Sequence, residues 1–216
     1  MKHFTLFLHF GLAQYMLSSF LLFSCAAPTQ SAQTEIVTMY TSSAAQPWMG
    51  DLFACANDLS VVLSVSAESP EIILRVGEPD VLVSPAYQID EEEILVVTHR
   101  ESSVQNLSLE EAQVLFAQGS ASAQVWVYSS DADVQMVFDQ LVMNGRSVTS
   151  LARLATSPQQ MSDLLNAEKD SVGILPRHWM VGTVRDVFSA GFVPVLAVTK
   201  EEPQGAVLEL ISCLQK

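Results

Sequence analysis

The sequence predicts an α/β fold with a parallel or mixed sheet. Short apolar runs typical of strands alternate with helical segments from residue 36 to the end of the chain. Hydrophobic residues make up 49% of the 216 residues and charged residues 16%, which is enough apolar material for one large domain or two small lobes. No internal repeat is visible at a fixed period. A disordered chain and a repeat array are therefore excluded.

The first residues predict export. Lys2 and His3 form a short basic start, and the mainly apolar run from Phe4 to Phe23 carries no formal charge, although His9 and Gln14 interrupt it. The run ends in Leu22-Phe23-Ser24-Cys25, which resembles the bacterial lipobox, with Leu three positions before Cys25 and a small residue directly before it. This resemblance implies a lipoprotein signal peptide over 1–24, a lipid on Cys25 and a polar tether over 25–35. The alternative is an ordinary secretory signal followed by a chance cysteine.

The first part of the mature chain predicts three strands and two helices. In order, these are a strand at 36–40, a helix near 46–57, a strand at 61–65, a helix at 69–77 and a strand at 81–84. β-Branched and aromatic residues are frequent in the strand runs, Gly77 provides an end for the second helix, and Pro85 ends the third strand.

The remaining residues continue the alternation. The predicted elements are a strand at 94–99, a helix from Ser108 to Gly119, a strand at 124–128, helices at 132–143, 147–155 and 158–166, strands at 171–175 and 193–198, and a terminal helix at 203–214. Ser108 is a suitable N-cap because two glutamates follow in the first helical turn. Pro158 suits the first turn of its helix.

Four segments, in this order, resemble a known family. They are Thr41-Ser42-Ser43 after a strand, residues 106–116 (NLSLEEAQVLF), residues 128–133 (YSSDAD), and residues 157–161 (SPQQM) followed by 171–175 (SVGIL). Together they are similar to the extracytoplasmic solute-binding proteins of ABC transporters, type 2, nearest the phosphate-binding branch. The resemblance covers roughly residues 36–215.

The resemblance implies a two-lobed type 2 periplasmic-binding-protein fold with mixed sheets. A two-segment hinge would cross near 87–94 and 175–190, with a ligand held in the cleft between the lobes. Lobe one would then combine about 36–88 with 190–216, and lobe two would span about 92–176. The whole solute-binding domain would cover 36–216.

Two junctions predict the ligand site, one in each expected lobe. Thr41, Ser42 and Ser43 follow the first strand, and Ser129 and Ser130 follow the strand at 124–128. Backbone N–H groups at the start of a helix, together with hydroxyl donors, are suited to bind an oxyanion. Asp131 extends the second junction, and Ser84 is a third, weaker candidate. The alternative is that all of these residues are ordinary N-caps and turns.

The second junction departs from the phosphate-binding pattern. It carries Asp131 and Asp133 but no Arg and no Gly-Thr pair. Carboxylates repel an incoming anion, although one of them can accept the proton of hydrogenphosphate, and either can cap the next helix. The sequence is therefore also compatible with a neutral solute, a cationic solute or no solute at all. Tyr40 and Trp48 could either stack on a ligand or pack within the protein. Residues 177–179 could either reach the cleft or form a cluster on the surface.

The remaining cysteines predict a disulfide. Once Cys25 is lipidated, Cys55 and Cys213 are the only thiols, and an oxidising compartment favours a bond between them. The alternative is two buried free thiols in separate helices.

Charge and motifs exclude several function classes. The net charge of −14 argues against nucleic acid as a partner. No nucleophile–base motif, phosphate-binding loop or metal-ligand pattern is present, which predicts a non-enzyme without cofactor or metal. The run 91–93 (EEE) is interpreted as a solvated turn.

The hypothesis is a lipid-anchored component of an ABC-type uptake system on the outer face of the bacterial cell membrane. It would bind a small polar solute, with phosphate or another oxyanion among the candidates, and pass it to a permease. The alternative is a degenerate lipoprotein of the same fold that acts as an interaction or sensor module without a transported ligand.

Overall fold

A computed structural model of the protein describes residues 35–79, 81 and 83–216. The strands in these ranges are β1 (Ile36–Thr41), β2 (Val62–Val65), β3 (Ile72–Val76), β4 (Ala86–His99), β5 (Gln124–Val127), β6 (Arg153–Leu154), β7 (Ser171–Pro176) and β8 (Val184–Thr199). The α-helices are α1 (Met49–Asp58), α2 (Leu109–Gln118), α3 (Asp133–Phe138), α4 (Pro158–Ala167) and α5 (Gly205–Leu214). Single 3-10 turns lie at Gln46–Trp48 and Arg177–Trp179, and a π-helical turn at Asp139–Met143 continues α3.

The eight strands form one mixed sheet in the order β2-β1-β3-β8-β4-β7-β5-β6. The pairs at each end of the sheet are parallel, whereas β8 and β4 in the middle run antiparallel to each other and to their outer neighbours. The predicted α/β class with a mixed sheet is confirmed.

Strands β4 and β8 connect two halves of the molecule. The first half is β2, β1 and β3 with α1 and α5, and the second half is β7, β5 and β6 with α2, α3 and α4. The pairing of β4 with β8 runs from Ala86–Val198 beside the first half to His99–Val184 in the second. One register shift lies after Ile94, which pairs with Gly191 at a φ of +124°. The lobe and hinge boundaries expected from the sequence stay predictions.

The core extends through both halves. In the first half, alternate residues of β3 (Ile72, Leu74 and Val76) are fully buried in the core, as a half-buried strand requires. In the second half, the rings of Phe116 in α2 and Phe138 in α3 lie 4.7 Å apart, centroid to centroid, and both are fully buried. These contacts fix the positions from which β1, β3 and α3 present the candidate site.

Several predicted element boundaries are confirmed by their capping groups. Ser108 caps α2 in a reciprocal capping box, because its hydroxyl accepts from the Glu111 N–H while the Glu111 carboxylate accepts from the Ser108 N–H. Gly119 ends this helix at a φ of +78°. Ser157 caps α4, whose first residue is Pro158.

Three predicted elements were wrong. The helix expected at 69–77 is strand β3, because residues 72–76 alternate between buried and half-buried positions beside β1 and β8. The strand expected at 81–84 is absent from its described residues, where Val81 and Val83 are exposed instead of paired. The helix expected at 147–155 is a series of turns that ends in the short edge strand β6.

The glutamate run 91–93 was also misjudged. It lies within β4, not in a solvated turn, and Glu92 is only 1% exposed. The predicted strands at 94–99 and 193–198 are the carboxyl-terminal parts of the much longer strands β4 and β8.

The predicted disulfide is present. Cys55 in α1 and Cys213 in α5 are bonded, with their Cα atoms 5.9 Å apart. The bond joins the first and last helices of the chain and closes the first half on itself.

The predicted signal segment, Cys25 and the tether up to residue 34 lie outside the described residues. Among the residues that are described, no helix combines the length and the apolar character needed to cross a membrane.

Candidate functional site

The first half contributes the loop that follows β1. The Ser42 N–H donates to the Leu74 carbonyl over 2.9 Å, so the loop begins beside β3. The Ser42 hydroxyl accepts from the Ala45 N–H over 3.3 Å, which turns the chain into the 3-10 turn at Gln46–Trp48. Ser42 and Ser43 are thereby held at the carboxyl end of β1.

The second half contributes the loop between β5 and α3. The Tyr128 N–H donates to Oε1 of Gln135 over 3.0 Å, and the buried Tyr128 hydroxyl donates to the Ile174 carbonyl over 2.7 Å. Ser129 donates its hydroxyl proton to Asp131. This bond holds the pKa of the exposed Asp131 carboxyl below its usual value, so Asp131 is ionised at neutral pH.

A cavity of about 290 Å³ lies where these two loops meet. Its lining comes from β1, β3, the loop after β1 and the loop before α3: Tyr40, Ser42, Ser43, Ile73, Arg75, Ser129, Asp131, Ala132 and Asp133. The volume is at the lower end for ligand pockets, which suits a small solute.

Asp133 connects the two halves across this cavity. Its Oδ2 atom accepts from the Ser42 hydroxyl over 2.5 Å and from the Val76 N–H over 3.0 Å, both in the first half. Its Oδ1 atom accepts from the Val134 N–H over 2.9 Å. The residue is 8% exposed, so its carboxylate is largely shielded from water. Asp133 is the first residue of α3, whose N-cap is Ala132, so neither acidic residue occupies the predicted capping position.

A second set of contacts joins the halves further along the segment that follows β1. The Trp179 indole N–H donates to the Ala44 carbonyl over 3.1 Å. The rings of His178 and Trp48 lie 4.7 Å apart, centroid to centroid. The segment 42–48 is therefore held by the second half at both Asp133 and Trp179.

Two acidic residues of β4 bind the aromatic side chains of this second set of contacts. The Trp48 indole N–H donates to Asp90 over 2.7 Å, and His178 Nδ1 lies 2.8 Å from Oε2 of Glu92. Burial raises the pKa of Glu92, and the hydrogen bond with His178 opposes that rise. Trp48 is thus buried in packing contacts, which resolves its open assignment. Of residues 177–179, His178 and Trp179 contact the first half, whereas Arg177 pairs with Glu93 of β4.

The structure brings together four of the predicted ligand residues: Ser42, Ser43, Ser129 and Asp131 line one cavity. Their role in binding stays a prediction. Thr41, Ser84 and Ser130 do not line it. The Thr41 hydroxyl donates to the Ser42 carbonyl, and Ser130 lies in a shallow depression beside Met136.

Sequence reasoning missed Arg75 and misjudged Asp133. Arg75 was assigned to a helix, whereas strand β3 carries it to the cavity. The alternation of apolar residues along 72–76 was the signal that could have placed it. Among the described residues, no group of three or more His, Cys, Asp or Glu side chains is arranged to hold a metal ion.

No protein-family model matches the sequence, and no curated protein matches it. Solved structures do. A chain from Clostridium perfringens, described as a phosphate ABC transporter substrate-binding protein with bound phosphate, is 15% identical, covers 83% of this chain and 93% of its own, and superimposes with a TM-score of 0.73. An ABC-type phosphate transport receptor from Vibrio cholerae is 14% identical over the same shares, with a TM-score of 0.65.

A regulatory domain shares this architecture as well. The regulatory domain of OxyR2 from Vibrio vulnificus, in its reduced form, is 7% identical, covers 84% of this chain and 93% of its own, and has a TM-score of 0.64. Identities at this level show a common fold and leave function open. The chain therefore has the type 2 periplasmic-binding-protein fold, which the sequence predicted and which phosphate-binding transport receptors and OxyR regulatory domains share.

Proposed function

We propose that the protein is an extracytoplasmic solute-binding protein, anchored by a lipid on Cys25, that presents a small polar solute to a membrane permease of the ABC type. The observation that supports this proposal is the cavity between the two serine-bearing loops, one from each half. In a hinged two-lobe protein, such a position lets a bound solute select the closed arrangement.

The charges of the cavity favour a neutral or cationic solute. Arg75 is the single basic residue in its lining, against the two carboxylates of Asp131 and Asp133. A solute with hydroxyl or amine donors would find acceptors in these carboxylates and in the serine hydroxyls. Phosphate, which is bound in the Clostridium perfringens structure, would meet two like charges here.

Thermal unfolding of the mature protein, purified from an exporting host, tests this proposal. The panel contains amino acids, sugars, divalent cations, phosphate, sulfate and molybdate. A solute at about 1,000 times its Kd adds roughly 4 kcal/mol to the free energy of unfolding. For a domain of this size that raises the Tm by about 8–16 °C. A shift with a neutral or cationic member is expected, and a panel without any shift contradicts the proposal.

Matched serine variants localise the binding. Ser43→Ala and Ser129→Ala each remove a hydroxyl from the cavity lining and should abolish most of the shift. Ser120→Ala removes an exposed hydroxyl that lies outside this lining and contacts Ser122, so it should leave the shift intact. Equal behaviour of all three variants would place the solute elsewhere.

Labelling with radioactive palmitate tests the anchor. The wild-type chain should incorporate the label and fractionate with membranes, whereas Cys25→Ser should do neither. Incorporation by the Cys25→Ser variant would mean that the lipid is attached elsewhere.

A second candidate function is an interaction or sensor module without a transported solute. The observation that favours it is the bridge from Asp133 to Ser42 and the Val76 N–H, because the chain itself already joins its two halves at the cavity. Under this function no member of the panel shifts the Tm.

A further inference from the structure

We propose that the Asp133 carboxylate is a built-in anion of the cleft: it occupies the hydrogen-bond donors that an external oxyanion would use, and so excludes free oxyanions from the site. This inference rests on the proposed function only in taking the cavity as the ligand site. It assigns Asp133 as the residue that determines which class of solute can enter.

The hydrogen bonds of Asp133 support this role. Its two oxygens take three donors, one hydroxyl and two backbone N–H groups, at 2.5–3.0 Å. Hydroxyls and backbone N–H groups are the donors that proteins use to bind phosphate and sulfate oxygens. A carboxylate oxygen that already accepts from Ser42 and Val76 leaves those donors unavailable to a solute.

Asp133 is buried and bonds across the cavity to the other half. The residue is 8% exposed and belongs to the second half, whereas Ser42 and Val76 belong to the first. A solute held between two lobes makes this same kind of contact, with donors from both sides. Asp133 therefore replaces a bound oxyanion both in its charge and in its linkage between the halves.

Close packing beneath the bridge stabilises it. Val137, one turn along α3 from Asp133, lies against Gly77, which directly follows Val76. The Gly77 N–H donates to the Pro194 carbonyl over 2.7 Å and fixes this end of β3. The Val76 N–H is thus held in place to donate to the Asp133 carboxylate.

Isothermal titration of the mature, exported protein with inorganic phosphate tests the inference. Titration with chloride at the same ionic strength is the control. The wild-type protein should bind no phosphate at millimolar concentration. Asp133→Ala frees the Ser42 hydroxyl and the Val76 N–H, and its phosphate affinity should rise by about tenfold to a hundredfold. Phosphate should also raise the Tm of Asp133→Ala but not that of the wild type.

The matched control is Asp131→Ala, which removes one negative charge from the same cavity but leaves the Ser42 and Val76 donors occupied. It should gain little or no phosphate binding. An equal gain in both variants would mean that net charge, and not occupancy of the donors, excludes the oxyanion. If Asp133→Ala is isolated unfolded, Asp133→Ser, which keeps a hydroxyl near the Val134 N–H, is titrated in its place.

Phosphate binding by the wild type as tight as that by the Asp133 variants would overturn the inference, as would the absence of any gain in a folded variant. These results are separable from the solute panel. A wild-type protein that binds no panel member, beside an Asp133 variant that binds phosphate, upholds this inference while removing the solute-binding proposal. If the wild-type protein binds a neutral solute but the folded Asp133 variant binds no phosphate, the solute-binding proposal is upheld and this inference is removed.

Discussion

The Cγ2 atom of Val137 lies 2.1 Å from the point at which a Cβ atom on Gly77 would stand. Gly77 ends β3 in the first half at a φ of +73°, and Val137 belongs to α3 in the second half. Only a residue without a side chain permits this approach. The contact brings α3 close enough to β3 for Asp133 to reach the Val76 N–H.

Gly77→Ala should therefore destabilise the protein strongly. The positive φ costs about 1–2 kcal/mol for a residue with a Cβ, and the overlap with Val137 adds about 1–3 kcal/mol. Gly145→Ala is the matched control, because Gly145 has a similar φ of +83° but no atom within 4 Å of the added Cβ. Urea unfolding of both variants separates backbone strain from overlap.

Val137→Ala provides a second check on the same contact. Alone it should lower the free energy of unfolding, since Val137 is 1% exposed and its truncation leaves a cavity. Combined with Gly77→Ala it should cost less than the sum of the two, by about 1 kcal/mol or more. Additive losses would show that the two residues do not meet in solution.

Loss of the disulfide should lower stability by up to about 5 kcal/mol in the chain-entropy model, because Cys55 and Cys213 are 158 residues apart. Urea unfolding with and without dithiothreitol measures this loss. Cys55→Ser, Cys213→Ser and the double variant should all match the reduced wild type and should no longer respond to reductant. A wild-type midpoint that is insensitive to dithiothreitol would contradict the prediction.

Glu93 should make stability depend on acidic pH. Its carboxylate accepts from Arg177 Nε over 2.5 Å and from the Ser189 hydroxyl over 2.6 Å. The bond from Arg177 holds the pKa of Glu93 below its usual value. A lowered folded-state pKa contributes stability above the unfolded-state pKa, and that contribution is lost as the pH falls through the folded-state pKa.

Glu93→Gln should thus cost about 1 kcal/mol at pH 7, since Arg177 is half exposed and the pair is partly screened. The difference from wild type should shrink as the pH falls below about 4. Unfolding midpoints measured from pH 3 to pH 7 follow this difference. Adding Arg177→Gln to the Glu93→Gln variant should lower the free energy of unfolding only a little further. A difference in stability between Glu93→Gln and wild type that is the same at every pH would argue against the charged pair.

Ser108→Ala should cost about 1 kcal/mol, because it removes the hydroxyl that accepts from the Glu111 N–H in the first turn of α2. Ser103→Ala, at an exposed position in the preceding loop, is the control and should change stability by less than about 0.5 kcal/mol. Chemical unfolding of both variants checks the cap. Equal stability of the two variants would show that the cap contributes nothing.

The fold was predictable where local signals agreed with tertiary packing. Ser108, Gly119 and Pro158 fix helix boundaries through backbone hydrogen bonds that lie within a few residues of each other. Strand β3 was not predicted, because the segment 69–77 was interpreted as a helix that ends at Gly77. The alternation of Ile72, Leu74 and Val76 has meaning only beside β1 and β8, which are distant in sequence.

The site was predictable only in part for the same reason. Ser42 and Ser129 follow strands and could be located from the sequence. The bridge between Ser42 and Asp133 spans 91 positions, and an aspartate near a helix start has a common local explanation as a cap. Its actual partners are set by how closely α3 approaches β3, which no local pattern encodes.

The bond between Cys55 and Cys213 also has a topological consequence. It closes a covalent ring that contains all of β2 to β8, and therefore every loop of the second half. A protease that cuts one of these loops opens the ring without dividing the molecule. A chain nicked once between the two cysteines would keep both fragments attached, migrate as a single species on a non-reducing gel, and separate into two bands only after a thiol is added.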